Sequence, residues 1–358
     1  MIKHEEINNV DTPVIWVDLD IMENNIRLMA ARMREAGVDW RPHTKGIKIP
    51  DIAKKLIEAG AIGITCAKLT EAEIMGNAGI KDILIGNQVV GTNKVNRLIA
   101  LQNIADVMVA VDDFDNAKMI SEKAVEADRK IRVLVELNIG MQRAGIEPGE
   151  NALHFVKRVC ALPGIEFCGL MGWEGHIVGI ADPAEKDTAG RKAMAALTGT
   201  VDLVKDAGID VPIVSCGGTG SYKISAYTLG VTEIQAGGAI FGDQTYVRWG
   251  AETTPSLFVI ATVTSHNVPE RAVVDTGQKS LTNVTMPKPV GLEGVEVKSL
   301  SSEHGVLAIE NPDIKLKVGD KIMLSVGYGD WTLFLHDQLF GVRNGFIENI
   351  YEIPHQVV

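Results

Sequence analysis

Amine chemistry on a carbonyl needs a lysine that can shed its proton, and Lys45 in Arg41-Pro-His-Thr-Lys45 is a candidate. It follows a short β-branched run and lies between Thr44 and Gly46 on a turn, where partial desolvation lowers an ammonium pKa and frees the amine for Schiff-base formation. A solvated lysine opening a helix satisfies the same pattern. Far along the chain stand two glycine-rich stretches, Cys216-Gly-Gly-Thr-Gly-Ser221 and Gln235-Ala-Gly-Gly-Ala-Ile-Phe-Gly242. Glycines with a hydroxyl let several backbone N–H groups converge on a phosphate at a helix N-terminus. Taken singly such glycines also mark plain tight turns, and neither stretch spells the GxGxxG of a dinucleotide fold after a first strand. A lysine nucleophile with a phosphate cradle is the layout pyridoxal phosphate requires, the lysine holding its aldehyde and the loops its phosphate.

Alternating elements must position these groups. Eight β-branched runs (Val38–His43, Ile62–Cys66, Asp82–Gly86, Asp106–Val111, Ile131–Leu137, Ile165–Leu170, Val211–Ser215 and Thr232–Gln235) alternate with stretches such as Pro50–Ala59 and Phe114–Asp128, which carry apolar residues at helical spacing. The runs lack in/out alternation, as strands covered on both faces do. Eight such units over about 200 residues predict a (β/α)8 TIM-like barrel, with an open doubly wound sheet as the alternative. A barrel gathers its active site at the carboxyl ends of the strands and commonly holds phosphate after strands seven and eight, where both glycine stretches fall. Ahead of the barrel, Val14–Leu19 reads as a strand and Ile21–Glu35 as an amphipathic helix. After about Gly242 the pattern changes to Phe258–Thr264, Arg271–Asp275, Val295–Leu300, Gly305–Ile309, Lys321–Val326 and Gln338–Val342, strands with Gly, Asn and Pro turns and no helix between them. They predict a second, all-β domain. The expected division is 12–242 for the barrel and 243–358 for the β domain.

The 358 residues are 46% hydrophobic and 23% charged, enough apolar material for a full core, which excludes a disordered chain. Lys plus Arg number 35 against 46 Asp plus Glu, a net charge of −11 and a pI of about 5.3. That balance repels phosphodiester backbones and excludes a general nucleic-acid binder, while leaving local capture of a small anion open. No stretch predicts a bilayer span and the start, Met1-Ile-Lys-His-Glu-Glu, has no apolar leader core, so a cytoplasmic protein is expected. Cys66, Cys160, Cys168 and Cys216 lie far apart without a CxxC pair, which predicts reduced thiols.

Taken in order, Arg41-Pro-His-Thr-Lys45, Glu71-Ala-Glu73, Met141-Gln-Arg-Ala-Gly145, Trp173-Glu-Gly-His176, Gly217-Gly-Thr-Gly220 with Tyr222, Glu233-Ile-Gln-Ala-Gly-Gly238, Glu303-His-Gly305 and Leu335-His-Asp337 resemble the D-threonine aldolase and D-serine dehydratase group. That group belongs to the alanine-racemase-like fold of pyridoxal phosphate enzymes. The resemblance runs from about Thr12 to Val342. It implies a barrel whose N-terminal residues 1–11 join the C-terminal β domain, a pyridoxal 5'-phosphate cofactor, and a homodimer with its site near the subunit interface. It further implies Lys45 as the Schiff-base lysine, His43 and His176 as candidate catalytic histidines, and Arg143 and Trp173 beside the cofactor. Ser215, Gly217, Gly218, Thr219, Gly220, Tyr222, Gln235, Gly237 and Gly238 complete the implied cofactor site. A neutral imidazole near pH 7 can accept the proton of a substrate hydroxyl. Packed structural histidines, a core Trp173 and a surface Arg143 fit the same residues.

Two places depart from the group's pattern. Its members bind a divalent metal through His-x-Asp or His-x-Cys shortly before Leu-His-Asp, whereas the matching place here reads Tyr328-Gly329-Asp330. Asp330 remains a candidate ligand for Mn, Mg or Zn, with His304 or His336 as a second if the fold brings them close. A phenol of pKa about 10 replaces an imidazole poorly, because it must lose its proton to bind. After the lysine the chain reads Gly46-Ile47-Lys48, where the group often carries a histidine. The resemblance implies a lyase acting on a small D-configured β-hydroxy-α-amino acid, an aldolase of D-threonine or 3-hydroxy-D-aspartate type that releases glycine and an aldehyde. The alternatives are a D-serine or D-threonine dehydratase, an amino-acid racemase, a non-catalytic pyridoxal phosphate carrier, and a nicotinamide oxidoreductase.

Overall fold

The computed structural model describes residues 5–354. The chain opens with β1 (Val14–Asp18) and α1 (Leu19–Ala36). Strands and helices then alternate: β2 (Asp39–Trp40), α2 (Pro50–Glu58), β3 (Ile64–Cys66), α3 (Leu69–Asn77), β4 (Asp82–Gln88), α4 (Thr92–Leu101), β5 (Asp106–Val111), α5 (Phe114–Glu126), β6 (Ile131–Leu137), α6 (Glu150–Cys160), β7 (Ile165–Gly172), α7 (Pro183–Asp206), β8 (Ile213–Cys216), α8 (Tyr222–Ser225) and β9 (Glu233–Ile234). Helix starts follow local chemistry. Asp113 and Asp182 accept the backbone N–H groups of Asn116 and Glu185, each at 2.8 Å, and Pro183 occupies the first turn of α7, where its missing N–H costs nothing.

Strands β2 to β9 form one parallel sheet in the order β2-β9-β8-β7-β6-β5-β4-β3. Its two ends meet just beyond β2, where His43 bridges Thr65 and the backbone bonds Ile62 N–H to Trp40 O (2.9 Å), Thr65 N–H to Pro42 O (2.9 Å) and Thr44 N–H to Thr65 O (2.7 Å) form. The sheet therefore closes into the expected (β/α)8 barrel. Inside it Leu84, Met108, Ala110, Leu134, Cys168 and Met171 form one buried cluster. At the amino ends of the strands a buried Arg41 donates to Glu233 Oε2 (2.9 Å) and Asp82 Oδ1 (2.5 Å), and Arg132 reaches Asp82 (3.3 Å) and Asp106 (2.9 Å). These charges link Arg41 with β4, β5, β6 and β9, and removing one partner of the buried Arg41–Glu233 pair would leave an uncompensated buried charge.

The second unit is a β sheet that includes β10 (Leu257–Val268), β11 (Arg271–Val274), β12 (Lys288–Pro289), β13 (Val295–Leu300), β14 (Gly305–Ile309), β15 (Lys321–Ser325), β16 (Gln338–Arg343) and β17 (Phe346–Glu352), with one-turn helices α9 (Gln244–Arg248) and α10 (Gly329–Thr332). Its strand order is β13-β14-β11-β10-β1-β16-β17, with β15 beside β10 and β12 beside β15. By compactness the chain divides inside α1 at Met29/Ala30 and again at Gly237/Gly238. Strand β1 belongs to the β unit, antiparallel to β10 and parallel to β16. Its side chains explain the choice: Trp16 stacks on Phe258 at 4.9 Å within a cluster that also holds Val14, Ile260 and Phe340. Further upstream, Ile7 N–H donates to Gly345 O (3.0 Å) and Ile347 N–H to Glu5 O (2.9 Å), so the segment ahead of β1 is part of this sheet's edge. Residues 1–4 of the expected 1–11 connection, and 355–358 of the expected β domain, lie outside the described residues. Among the described residues no helix is long and apolar enough to cross a membrane.

Candidate active site

Beyond β2 the chain stays extended, clamped on both sides. Arg41 N–H donates to Ile234 O (3.0 Å) and His43 N–H to Gln235 O (2.9 Å), while Thr65 holds the opposite edge. A turn follows, with Ile47 and Lys48 N–H both on Thr44 O at 2.8 Å and Lys48 at φ +52°. Thr44, Gly46 and Ile47 are buried and Lys45 is exposed, so Lys45 extends from the carboxyl end of the first barrel strand. The expected desolvation of this lysine is thus not supplied by its own turn. Thr44 Oγ1 donates to Glu71 Oε1 at 2.6 Å, and Glu71 Oε2 accepts Ala67 N–H at 2.9 Å, tying the lysine turn to α3. Burial raises the Glu71 carboxyl pKa against the pull of these bonds.

His43 sits at the base of this turn. Its Nδ1 faces the Lys45 N–H at 3.3 Å, and burial, with the charges of Lys45 and Arg143 nearby, lowers its pKa to about 3. Gly237 makes the approach possible: a Cβ there would stand 2.0 Å from His43 O.

The glycine stretch after β8 is organised by Glu174, a residue inside the Trp173-Glu-Gly-His176 motif to which no function had been assigned from sequence. The buried Glu174 carboxylate accepts Ser221 Oγ–H at 2.6 Å, Ser225 Oγ–H at 2.9 Å and Gly217 N–H at 3.3 Å. Burial pushes its pKa up, opposed by those three donors. Gly217 takes φ +78°, and Gly218 lies flush against the indole of Trp173, whose Cη2 would be 2.4 Å from an added Cβ. Helix α8 is a single turn, so the expected helix N-terminus reduces to the loop's own backbone around Thr219 and Gly220 before Tyr222. Ser215 Oγ accepts Gln235 Nε2–H at 2.8 Å, linking the ends of β8 and β9.

Arg143 lies in the loop after β6, half-exposed, with its Nη2 3.9 Å from Glu136 Oε1. Glu136 Oε2 also accepts Gln88 Nε2–H at 2.6 Å, and neither Glu136 nor Gln88 was singled out from sequence. His176 is exposed, and its Cε1 would be 2.7 Å from a Cβ at Gly140, so its imidazole packs on the Arg143 loop. The carboxyl ends of the barrel strands thus carry Lys45, His43, Arg143, Trp173, His176, Ser215, Gly217–Tyr222, Gln235 and Gly237. A lysine, a cationic arm and a rim of glycine backbone can hold an aldehyde and an anion.

Gly238 and Asp330 belong to the β unit. Gly238 packs under the Tyr246 ring, with Cζ 2.3 Å from an added Cβ. Asp330 Oδ1 accepts Tyr246 Oη–H at 2.9 Å and Asp330 Oδ2 accepts Tyr328 Oη–H at 3.4 Å. Burial and the neighbouring carboxylates raise both phenol pKa values. His336 Nε2 is 2.8 Å from Ser280 O. Among the described residues no group of three or more His, Cys, Asp or Glu side chains is arranged to hold a metal ion; with Asp330 facing two phenols and His336 facing a backbone carbonyl, the donors at this place do not fit the implied metal.

Residues 17–245 match the family of the alanine racemase N-terminal domain, and residues 256–342 match a putative serine dehydratase domain. The chain belongs to the alanine racemase N-terminal domain family. Within it, the chain is 35% identical to D-threonine aldolase of Arthrobacter sp over 354 residues, 98% of this chain and 93% of that protein. It is 34% identical to 3-hydroxy-D-aspartate aldolase of Paracoccus denitrificans (strain Pd 1222), over 97% of this chain and 92% of that protein. The crystal structure of D-threonine aldolase from Filomicrobium marinum superposes with a TM-score of 0.94 at 34% identity, covering 98% of this chain and 97% of that one.

Proposed function

We propose that this chain is a pyridoxal-phosphate-dependent lyase that cleaves the Cα–Cβ bond of D-β-hydroxy-α-amino acids of the D-threonine or 3-hydroxy-D-aspartate kind. The observation that carries this reading is Lys45 at the carboxyl end of the first barrel strand, in the same barrel whose strands β8 and β9 end in glycine loops. The residues fit the cofactor: Gly217 and Gly218 leave a loop free of side-chain bulk beside Trp173, and Lys45 supplies the amine. Pyridoxal phosphate, when bound, supplies an electron sink at Cα. The chain does the rest. Lys45 would hold the cofactor's aldehyde, the 217–222 backbone with Ser215, Gln235 and Gly237 its phosphate end, and Trp173 and Arg143 would flank it. His176 would take the β-hydroxyl proton, so that the electrons of the broken bond stay on Cα and Cβ leaves as an aldehyde. Cα would then gain one proton, balancing the one lost from the β-hydroxyl, to give glycine. The reading includes a cytoplasmic homodimer.

Dehydration of D-serine or D-threonine is the second reading, favoured by the match of residues 256–342 to a putative serine dehydratase domain. Incubation of the cofactor-loaded protein with D-threonine separates the two. Glycine with acetaldehyde is expected; 2-oxobutanoate with ammonia would replace the aldolase by the dehydratase. D-to-L interconversion, or no turnover of any D-amino acid, would move the reading to a racemase or a carrier.

A further inference from the structure

In the resembling group, the place occupied here by Tyr328-Gly329-Asp330 holds a divalent metal, and the donors found here are of another kind. Both oxygens of Asp330 are engaged by phenols, Tyr246 at 2.9 Å and Tyr328 at 3.4 Å. Around them stand aromatic rings: Tyr328 lies 6.0 Å from Tyr246, 6.1 Å from Trp249 and 5.9 Å from Trp331, centroid to centroid. Asp243, the nearby second carboxylate, is committed elsewhere, accepting Gly329 N–H at 2.6 Å and Tyr246 N–H at 2.9 Å. His336, the imidazole that could have served as a second ligand, is directed at Ser280 O at 2.8 Å.

We propose that this position is a metal-free centre, in which two phenol protons compensate the Asp330 carboxylate in place of a cation. The substitution is chemically consistent. A divalent ion takes four or more lone-pair donors, whereas here the carboxylate is met by two phenol O–H groups that present protons. Tyr328 is the residue that excludes the metal, because it stands where an imidazole would supply the nitrogen ligand. The inference goes beyond the lyase reading and does not need it.

The test titrates the purified full chain with Mn2+ alone, by calorimetry, after exhaustive chelation and without any substrate. No saturable binding at submillimolar metal is expected, and chelation should leave the thermal midpoint unchanged. Stoichiometric Mn2+ binding that Asp330→Asn abolishes would overturn the proposal, while binding that persists in Asp330→Asn would locate the ion elsewhere and uphold it. Tyr328→His, checked for folding by its thermal midpoint, should bind Mn2+ at least tenfold more tightly than the parent chain. An unchanged affinity in that variant would overturn the assignment of metal exclusion to Tyr328. Because the readout is metal binding, its failure is separate from any failure to find the amino-acid substrate.

Discussion

The hydroxyl of Ser221 donates to Glu174 Oε1 at 2.6 Å and receives the Gly218 N–H at 3.0 Å, so one buried carboxylate on the β7 loop shapes the glycine loop after β8. Three donors converge on Glu174, and a glutamine offers one acceptor oxygen and an NH2 that itself donates. Glu174→Gln should therefore cost about 1–3 kcal/mol in stability and weaken pyridoxal phosphate binding roughly tenfold, about 1.4 kcal/mol. Denaturant melts and a cofactor absorbance titration check this; unchanged affinity would show that the loop holds its shape without Glu174.

In the proposed reading Lys45 would hold the cofactor, and it projects from a turn whose backbone hydrogen bonds do not involve its amine. Lys45→Ala should keep the thermal midpoint of the apoprotein. It should abolish the borohydride-stable adduct seen by mass spectrometry, and lower turnover by at least the roughly 10²–10⁴-fold that a positioned acid–base group supplies. An adduct that maps to another lysine would sink the assignment.

Gly237 separates two backbones, with a virtual Cβ 2.0 Å from His43 O and 2.7 Å from His43 N. Gly237→Ala must push the Lys45 strand away, at a cost of at least about 1–3 kcal/mol, as overpacking generally costs. Gly199 in α7 meets nothing within 4 Å and is the matched control. Gly199→Ala should stabilise by up to about 1 kcal/mol through helix propensity. Urea melts of the two variants should differ in sign, and a neutral Gly237→Ala would mean that the two strands can part freely.

Asp243 gives a pH dependence of known sign. Burial raises its pKa from 3.8 to about 7 in the folded protein, against the backbone N–H groups it accepts. A folded pKa above the unfolded one means the native state holds the proton more tightly, so this contribution is fully present below about pH 4. It is lost as pH rises toward 7, with a slope of at most about 1.4 kcal/mol per pH unit. The stability difference between the parent chain and Asp243→Asn should change across that window and be flat above it. A difference that is level from pH 4 to 7 would show that Asp243 ionises normally.

Much of this protein is determined by short-range pattern. β-branched runs without alternation, spaced by amphipathic helices, specify parallel strands covered on both faces, and the turn residues after about Gly242 specify antiparallel ones. The lysine after the first run and the glycines after the last two were legible for the same reason, since a strand end and a Gly-rich turn are local features. What tertiary structure decided is which partners those segments take. Nothing in Val14–Asp18 tells a barrel strand from a sheet strand; the stacking of Trp16 on Phe258, 242 positions away, makes the choice. Glu174 reads as a polar residue beside a tryptophan until Ser221 and Ser225 are folded onto it. That Asp330 accepts two phenol hydroxyls, one of them 84 residues upstream, is likewise not written in Tyr328-Gly329-Asp330. Burial and hydrogen-bond satisfaction depend on neighbours distant in the chain, and one-dimensional spacing carries no information about who those neighbours are.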